Sequence, residues 1–149
     1  MTNTVIVYLI KGNKIALGRK STGHGIGKWN GFGGKIEKGE SAKKTATREL
    51  FEESGITVAE SDLTKAAEIL YKEGYDWLVT VFTASKFTGE LILTKEMEPA
   101  WFNYDKIPYD QMWANDKLWL PKILAGENFS VTFWHDKKGN ILKHEFRKL

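Results

Sequence analysis

The stretch GGKIEKGESAKKTATRELFEESGI, residues 33–56, decides the fold because it contains one complete helix together with its start and stop signals. Ser41 is a candidate N-cap, since its hydroxyl can accept a hydrogen bond from an otherwise unpaired backbone N–H. Gly55 is a candidate for the left-handed residue that ends a helix. The spacing between these two residues predicts a helix over 42–54.

This predicted helix concentrates negative charge on one side. Glu49, Glu52 and Glu53 fall within an arc of roughly 100°, because a helix turns about 100° per residue. Glu49 and Glu53 are four residues apart, a like-charge arrangement that costs about 0.2–0.5 kcal/mol. A divalent-cation site would explain this cost, since Mg²⁺ takes hard oxygen ligands and bridges carboxylates to phosphates. The alternative is a solvated acidic face with Leu50 on the core side.

The rest of the chain contains strand-like runs and a second helix. These segments predict one α/β (α+β) domain over 1–149, a mixed sheet with two helices against it. The final hairpin is predicted to turn at Gly139-Asn140. The predicted strands cover 5–10, 14–19, 66–72, 77–83 and 100–103, a short extended piece covers 29–32, and the second helix covers 118–126 and ends at Gly126.

Composition limits the classes of function. The chain has 149 residues, 42% of them hydrophobic, and no cysteine, which excludes a disulfide framework and a thiol nucleophile. Its net charge of +3 comes from scattered lysines and arginines, which does not indicate a nucleic-acid surface. The apolar run near the start is too short for a signal peptide or a membrane span. We therefore expect a cytoplasmic protein, a monomer, that contacts neither nucleic acid nor a membrane.

Residues 34–56 match every fixed position of the Nudix box, which defines hydrolases of nucleoside diphosphates linked to another group. The match comprises Gly34, Glu40, Arg48, Glu49, Leu50, Glu52, Glu53, Gly55 and Ile56. The chain thus resembles the Nudix family, and the resemblance implies a Nudix-type sheet sandwiched by two helices and a requirement for Mg²⁺, with Mn²⁺ as an alternative. The implied metal ligands are Gly34, Glu49, Glu52, Glu53 and Glu96, and the implied catalytic residues are Glu53, Glu52, Arg48 and Glu96.

Other segments resemble the animal-type MutT homologues within this family. These are KWNGFGGKIEKGE (28–40), EMEPAWF (96–102), IPYDQMW (107–113) and the final LKHEFRKL. The resemblance implies hydrolysis of oxidised purine nucleoside triphosphates, such as 8-oxo-dGTP, to the monophosphate and pyrophosphate. The implied substrate-binding residues are Asn30, Lys20, Gly33, Trp113, Asn115, Asp116 and His24.

Several of these residues also have ordinary structural interpretations. Asn30 either reads a purine edge or simply forms a turn before Gly31. Trp113 either stacks on the base or packs in the core. Asp116 either contacts the purine or caps a helix beginning near Lys117, and it could do both. Lys20 either contacts phosphate or is solvated, as a lone lysine usually is.

Two positions depart from the family pattern. The family usually has two adjacent aspartates where this chain has Asn115-Asp116. Two close carboxylates can share a proton and so accept different base edges, whereas an amide cannot. We therefore expect a narrower or shifted base preference. His24 replaces an aromatic residue at the pocket mouth and either stacks or is exposed, and His135 and His144 are interpreted as surface or sheet residues.

Three alternatives compete with this interpretation. A broader Nudix hydrolase of ordinary nucleotides, ADP-ribose or nucleotide sugars would keep the chemistry and change the substrate. A non-catalytic nucleotide-sensing module is expected to lose box carboxylates, which this chain keeps. An unrelated α/β domain would leave the box spacing as coincidence.

Overall fold

The computed structural model describes residues 1–72 and 76–149, and the strands in these ranges belong to one mixed sheet. The predicted α/β architecture is confirmed, with a helix after the first strands and another near the end. The strands are β1 (Thr2–Lys11), β2 (Lys14–Lys20), β3 (Trp29–Asn30), β4 (Phe32–Lys35), β5 (Thr64–Lys72), β6 (Asp76–Ala84), β7 (Met97–Asn103), β8 (Phe129–His135) and β9 (Ile141–Lys148), and the helices are α1 (Ala42–Ser54) and α2 (Asp116–Leu124).

The sheet runs in the order β3-β2-β1-β6-β5-β8-β9, with β4 paired to β1 and β7 paired to β2. β1 pairs with β6 in parallel, and β5 pairs with β8 in parallel, whereas the other pairs are antiparallel. β7 lies beside β2, and its first residue, Met97, pairs with Lys20 at the end of β2. The residue before β7 therefore lies near this end of β2.

The two faces of the sheet carry separate cores. Along β1, Val5 and Val7 point to the core that includes Leu50 of α1, whereas Tyr8 points to the core that includes Trp119 of α2. This follows from the two-residue period of a strand, which sends successive side chains to opposite faces. Each helix therefore covers one face of the sheet.

Helix α1 confirms the predicted boundaries. The Ser41 hydroxyl accepts a hydrogen bond from the Lys44 N–H at 3.1 Å. At the other end, Gly55 has φ of 81°, and its N–H donates to the Phe51 carbonyl at 2.9 Å. A glycine adopts this conformation without the strain that a side chain would cause.

Helix α2 begins and ends two residues before its predicted bounds of 118–126. Its N-terminal flank is Asn115, and no side chain caps it. Asp116 is the first helical residue and is 3% exposed, so the capping role proposed for Asp116 is wrong. Backbone bonds from Asp116 N to Trp113 O and from Leu118 N to Asn115 O extend the turn backwards, which the sequence pattern did not reveal.

The predicted terminal turn is confirmed, and its structure depends on an additional residue. Asp136 follows β8, and its Oδ1 accepts hydrogen bonds from the N–H groups of Lys138 and Asn140. Within residues 1–72 and 76–149, no helix is long and apolar enough to cross a membrane.

Candidate active site

Three carboxylates converge between the end of α1 and the start of β7. Glu49, Glu53 and Glu96 each place an oxygen within 4.8 Å of the others. Glu49 and Glu53 come from one face of α1, as their spacing predicts, whereas Glu96 immediately precedes β7. The structure thus brings together three of the residues implied as metal ligands.

Glu53 is the most enclosed of the three, with 3% of the residue exposed. Its Oε1 accepts a hydrogen bond from the Gly33 N–H at 2.8 Å. Burial raises the pKa of Glu53 to about 8, and the charges of Glu49 and Glu96 act in the same direction, whereas the Gly33 N–H and Lys20 oppose them. The carboxylate is therefore held in a place that strongly favours a nearby positive charge.

Glu49 is held by Arg48. Arg48 Nη1 lies 3.1 Å from Glu49 Oε1. Burial raises the pKa of Glu49, and the positive charge of Arg48 opposes this effect. Arg48 therefore restrains the Glu49 carboxylate within the cluster.

Arg48 makes a bidentate ion pair with Glu40. Arg48 Nε and Nη2 each lie 2.9 Å from an oxygen of Glu40, which also accepts a hydrogen bond from the Thr45 hydroxyl at 3.0 Å. The Arg48 hydrogen bonds lower the pKa of Glu40 to about 2. This geometry gives Glu40 a positioning role, since it anchors the arginine that in turn holds Glu49.

Glu52 lies outside the carboxylate cluster. Its side chain is 47% exposed, and its Oε2 lies 3.4 Å from Arg48 Nη1. The expectation that Glu52 binds metal therefore stays a prediction.

Gly34 and Thr94 complete the site in different ways. A Cβ at position 34 would lie 2.8 Å from Glu49 Oε1, so glycine leaves the space beside this carboxylate open.

The Thr94 hydroxyl donates to the Glu53 carbonyl at 3.1 Å and accepts from the Met97 N–H at 3.1 Å. Thr94 thereby ties the start of β7 to the end of α1, and sequence reasoning missed it because its partner is 41 residues away.

The donor set fits a hard divalent cation. Glu49, Glu53 and Glu96 offer carboxylate oxygens, and Gly34 keeps open the space that a Cβ would fill. Mg²⁺ and similar ions are bound by such oxygens together with substrate phosphates. The cluster could therefore hold a divalent metal ion.

A second group of polar residues lies on the α2 side of the sheet. Asn115 and Asp116 are 7% and 3% exposed, and Asn115 Nδ2 lies 3.2 Å from His135 Nε2. Burial raises the pKa of Asp116 to about 7, which the Trp113 backbone N–H and the charge of Lys28 oppose. Asp116 Oδ2 has no hydrogen-bond partner among the described residues. Such buried polar atoms are usually satisfied, so this group is suited to a polar ligand.

Trp113 lies at the edge of this group and is 37% exposed, so the core interpretation of Trp113 is wrong. Its ring is stacked with His24 at a centroid distance of 4.9 Å and an angle of 24°. Lys28 Nζ lies 5.1 Å from the centroid of the same ring. A Cβ at Gly25 would come within 3.0 Å of Trp113, so the glycine-rich loop packs directly against the indole. His24 is both exposed and stacked.

The loop 20–28 joins the two groups of residues. Lys20 N donates to the Lys28 carbonyl at 3.0 Å, and Gly27 N donates to the Lys20 carbonyl at 2.8 Å. Lys20 acts electrostatically on Glu53, whereas Lys28 acts on Asp116. The carboxylate cluster and the Asn115–Asp116 group are therefore each influenced by one of two lysines that are paired at the base of this loop.

Asn30 uses its side chain locally. Asn30 ends β3 and does not lie in a turn, so the turn interpretation is wrong; its Oδ1 accepts a hydrogen bond from the Gly31 N–H at 2.8 Å, which leaves Nδ2 as a donor. A Cβ at Gly31 would lie 2.8 Å from Tyr8 Cε1, which places the end of β3 beside the buried Tyr8.

Three residues near Asp116 were missed in the sequence. The Tyr8 hydroxyl and the Trp119 Nε1 are buried without a hydrogen-bond partner in the described part of the chain, and burial and the charge of Asp116 raise the pKa of Tyr8. His135 is a strand residue, as expected, but its contact with Asn115 was not foreseen. A buried Tyr, Trp or His in a strand or helix has the same sequence pattern as a core residue, so no local signal identified them.

The chain resembles known proteins over most of its length. The Nudix domain family matches residues 1–123. An oxidized purine nucleoside triphosphate hydrolase of Danio rerio is 41% identical over 94% of this chain and 90% of its own, and one of Mus musculus is 35% identical over 97% and 93%. The crystal structure of a mutator MutT protein from Bacillus halodurans superposes with a TM-score of 0.84 at 23% identity and covers 98% of this chain and 97% of its own.

Proposed function

Because the chain belongs to the Nudix family, we propose that it is a Mg²⁺-dependent diphosphatase of oxidised purine nucleoside triphosphates such as 8-oxo-dGTP. The products are the monophosphate and pyrophosphate, and the reaction removes damaged nucleotides from the pool used for DNA synthesis. The observation that carries the proposal is the pairing of the Glu49–Glu53–Glu96 cluster with a polar, aromatic-edged group around Asn115 and Asp116. The two named relatives support the choice of substrate.

The carboxylate cluster binds the phosphate groups of the substrate through a divalent ion. Glu49, Glu53 and Glu96 would hold Mg²⁺, or Mn²⁺, with Glu52 and the Gly34 carbonyl as further candidate ligands. The ion, when bound, neutralises phosphate charge and polarises a phosphoryl group. Lys20 lies at the same end and adds a positive charge that attracts phosphate.

A carboxylate in or beside this cluster also takes the proton of the attacking water. Glu52, Glu53 and Glu96 are the candidates, and geometry must precede pKa in choosing between them. Glu→Gln variants at the three positions separate the roles, because loss of the base removes the acidic limb of the pH–rate profile, whereas loss of a metal ligand raises the metal concentration that activity requires.

The group around Asn115 and Asp116 binds the base of the substrate. Trp113 presents a partly exposed ring for stacking on a purine, with His24 and Lys28 against it. Asn115 and Asp116 read the purine edge, and Asn30 Nδ2 adds a donor. Because Asn115 replaces an acid that can share a proton with its neighbour, we expect unequal efficiencies on oxidised guanine and oxidised adenine triphosphates.

Product identification tests the chemistry directly. Incubation of 8-oxo-dGTP with the protein and Mg²⁺ is expected to release pyrophosphate and 8-oxo-dGMP in equal amounts, and EDTA is expected to abolish the reaction. Release of orthophosphate and a diphosphate, or activity that persists in EDTA, would contradict the proposal.

The substrate is a small molecule, so we propose a cytoplasmic monomer that works without contact to nucleic acid or a membrane. Light scattering coupled to gel filtration is expected to give a mass near the chain's 17.0 kDa.

A further inference from the structure

The contact between Asn115 and His135 joins two parts of the chain at the base-reading group. Asn115 immediately precedes α2, and His135 is the last residue of β8. Asn115 Nδ2 lies 3.2 Å from His135 Nε2. His135 is half-buried, and its ring centroid lies 5.9 Å from that of Tyr71 and 6.3 Å from that of Phe133.

The chemistry of this contact fixes which end of the amide is left for a ligand. An asparagine side chain carries donors on Nδ2 and an acceptor on Oδ1, and its neighbours decide its orientation. With Nδ2 facing Nε2, the amide donates and His135 Nε2 accepts, and this arrangement requires the imidazole proton on Nδ1. Within residues 1–72 and 76–149, the hydrogen bond of the Asn115 side chain uses Nδ2, so Oδ1 is left as an acceptor.

We propose that His135 is a positioning residue that locks the Asn115 amide and thereby selects purines with a hydrogen-bond donor opposite Oδ1. This inference rests on the proposed function. An unrestrained amide can rotate and serve either a donor or an acceptor, whereas an amide held by His135 serves one of them. Asp116 lies next to Asn115 and completes the polar edge.

Two oxidised purines differ in the required way. In 8-oxo-dGTP the acceptor O6 lies beside the donor N1–H, whereas in 8-oxo-dATP the donor 6-amino group lies beside the acceptor N1. A fixed Oδ1 matches one of these pairs and leaves unpaired groups with the other. Unpaired buried groups lower efficiency by about tenfold or more.

The test compares kcat/KM for these two triphosphates in the wild type, His135→Leu and His135→Gln. Leucine removes the acceptor, so the ratio of the two efficiencies is expected to move at least about tenfold towards one, mainly through KM. Glutamine can accept from Nδ2 through its oxygen, so its ratio is expected to stay near that of the wild type. His144→Leu is the matched control, since His144 lies on the same hairpin against Phe133 and Phe146.

The outcomes separate this inference from the proposed function. A wild type that is inactive on both triphosphates would overturn both. An active wild type with the same ratio in His135→Leu would overturn only the role of His135. Imidazole ¹⁵N shifts of the wild type at pH 8 provide a readout that does not depend on variants: the Nδ1–H tautomer is expected at His135, and the Nε2–H tautomer would contradict the inference.

Discussion

The Gly33 N–H donates a hydrogen bond to Glu53 Oε1 across 2.8 Å, so β4 and the last turn of α1 are joined at a buried carboxylate. The contact that positions the Glu53 carboxylate thus comes from the backbone of β4 and not from one of its side chains. Burial raises the pKa of Glu53 to about 8, and a divalent cation would offset the unfavourable environment of the charged form.

Glu53→Gln is therefore expected to abolish most turnover and to keep the fold. The glutamine oxygen can still accept from Gly33, but the negative charge for the metal is lost. A metal ion supplies several kcal/mol of charge stabilisation, so kcat is expected to fall by roughly a hundredfold or more.

The measurement is kcat with Mg²⁺, alongside thermal unfolding without metal, where the variant is expected to be at least as stable as the wild type. Glu98→Gln is the control, because Glu98 is exposed and pairs with Arg19 at 3.2 Å. An active Glu53→Gln variant would mean that the metal site lies elsewhere.

The adjacent glycines of β4 are expected to fail for different reasons when changed to alanine. A Cβ at Gly33 would lie 1.8 Å from the Val5 carbonyl oxygen, which is rigid backbone of the neighbouring strand. A Cβ at Gly34 would lie 2.8 Å from Glu49 Oε1, the end of a flexible side chain. Gly33→Ala is thus expected to lower the melting temperature by several degrees, whereas Gly34→Ala should stay folded and require more Mg²⁺. Thermal unfolding and Mg²⁺ titration of activity measure both effects, and equal losses of stability would contradict the different roles of the two glycines.

Arg48→Lys tests whether the arginine fork positions Glu49. Lysine keeps the positive charge but cannot make two parallel hydrogen bonds to Glu40 while also holding Glu49. The Mg²⁺ concentration for half-maximal activity is expected to rise several-fold, with a smaller change in stability. Arg147→Lys is the control, since Arg147 is 79% exposed in a loose pair with Glu145. An unchanged Mg²⁺ requirement in Arg48→Lys would contradict this role for the fork.

Asp116 is expected to make stability depend on pH. Burial raises its pKa in the folded chain from 3.8 to about 7, so the folded chain holds a proton that the unfolded chain has released between these values. Its contribution is therefore full below about pH 4 and is lost as pH rises to about 7, by at most roughly 4 kcal/mol. Relative to Asp116→Asn, which does not titrate, wild-type unfolding free energy from urea is expected to decrease between pH 4 and pH 7. Parallel profiles would contradict the burial of this carboxyl group; Glu53 titrates in both proteins and cancels in the comparison.

The sequence predicted the parts of the site that are local in the chain. Ser41, Gly55 and the glutamate spacing determine α1 through contacts within a few residues, and the structure reproduces 42–54 without change. The strand-like runs, with one helix after the first strands and one near the end, likewise predicted the mixed sheet. Glu96 was identified only through the resemblance to the family, because its distance from Glu53 depends on how β7 returns beside β2.

The remaining contacts depend on tertiary structure. The Glu40–Arg48 fork spans eight residues, from just before the N-cap of α1 into the helix, and the Asn115–His135 contact spans 20 residues between a helix start and a strand end. Neither has a periodic signature. The start of α2 was predicted too late in the chain for a related reason. Backbone hydrogen bonds to the Trp113 and Asn115 carbonyls extend the helix towards its N-terminus, so that it includes Asp116, the residue expected to cap it.

The most direct test of the central claim is kcat/KM with Mg²⁺ for 8-oxo-dGTP, 2-oxo-dATP, dGTP and ADP-ribose, with detection of pyrophosphate or monophosphate. A strong preference for an oxidised purine triphosphate over dGTP and ADP-ribose is the predicted result. A flat profile, or a preference for ADP-ribose, would keep the Nudix chemistry and contradict the proposed substrate.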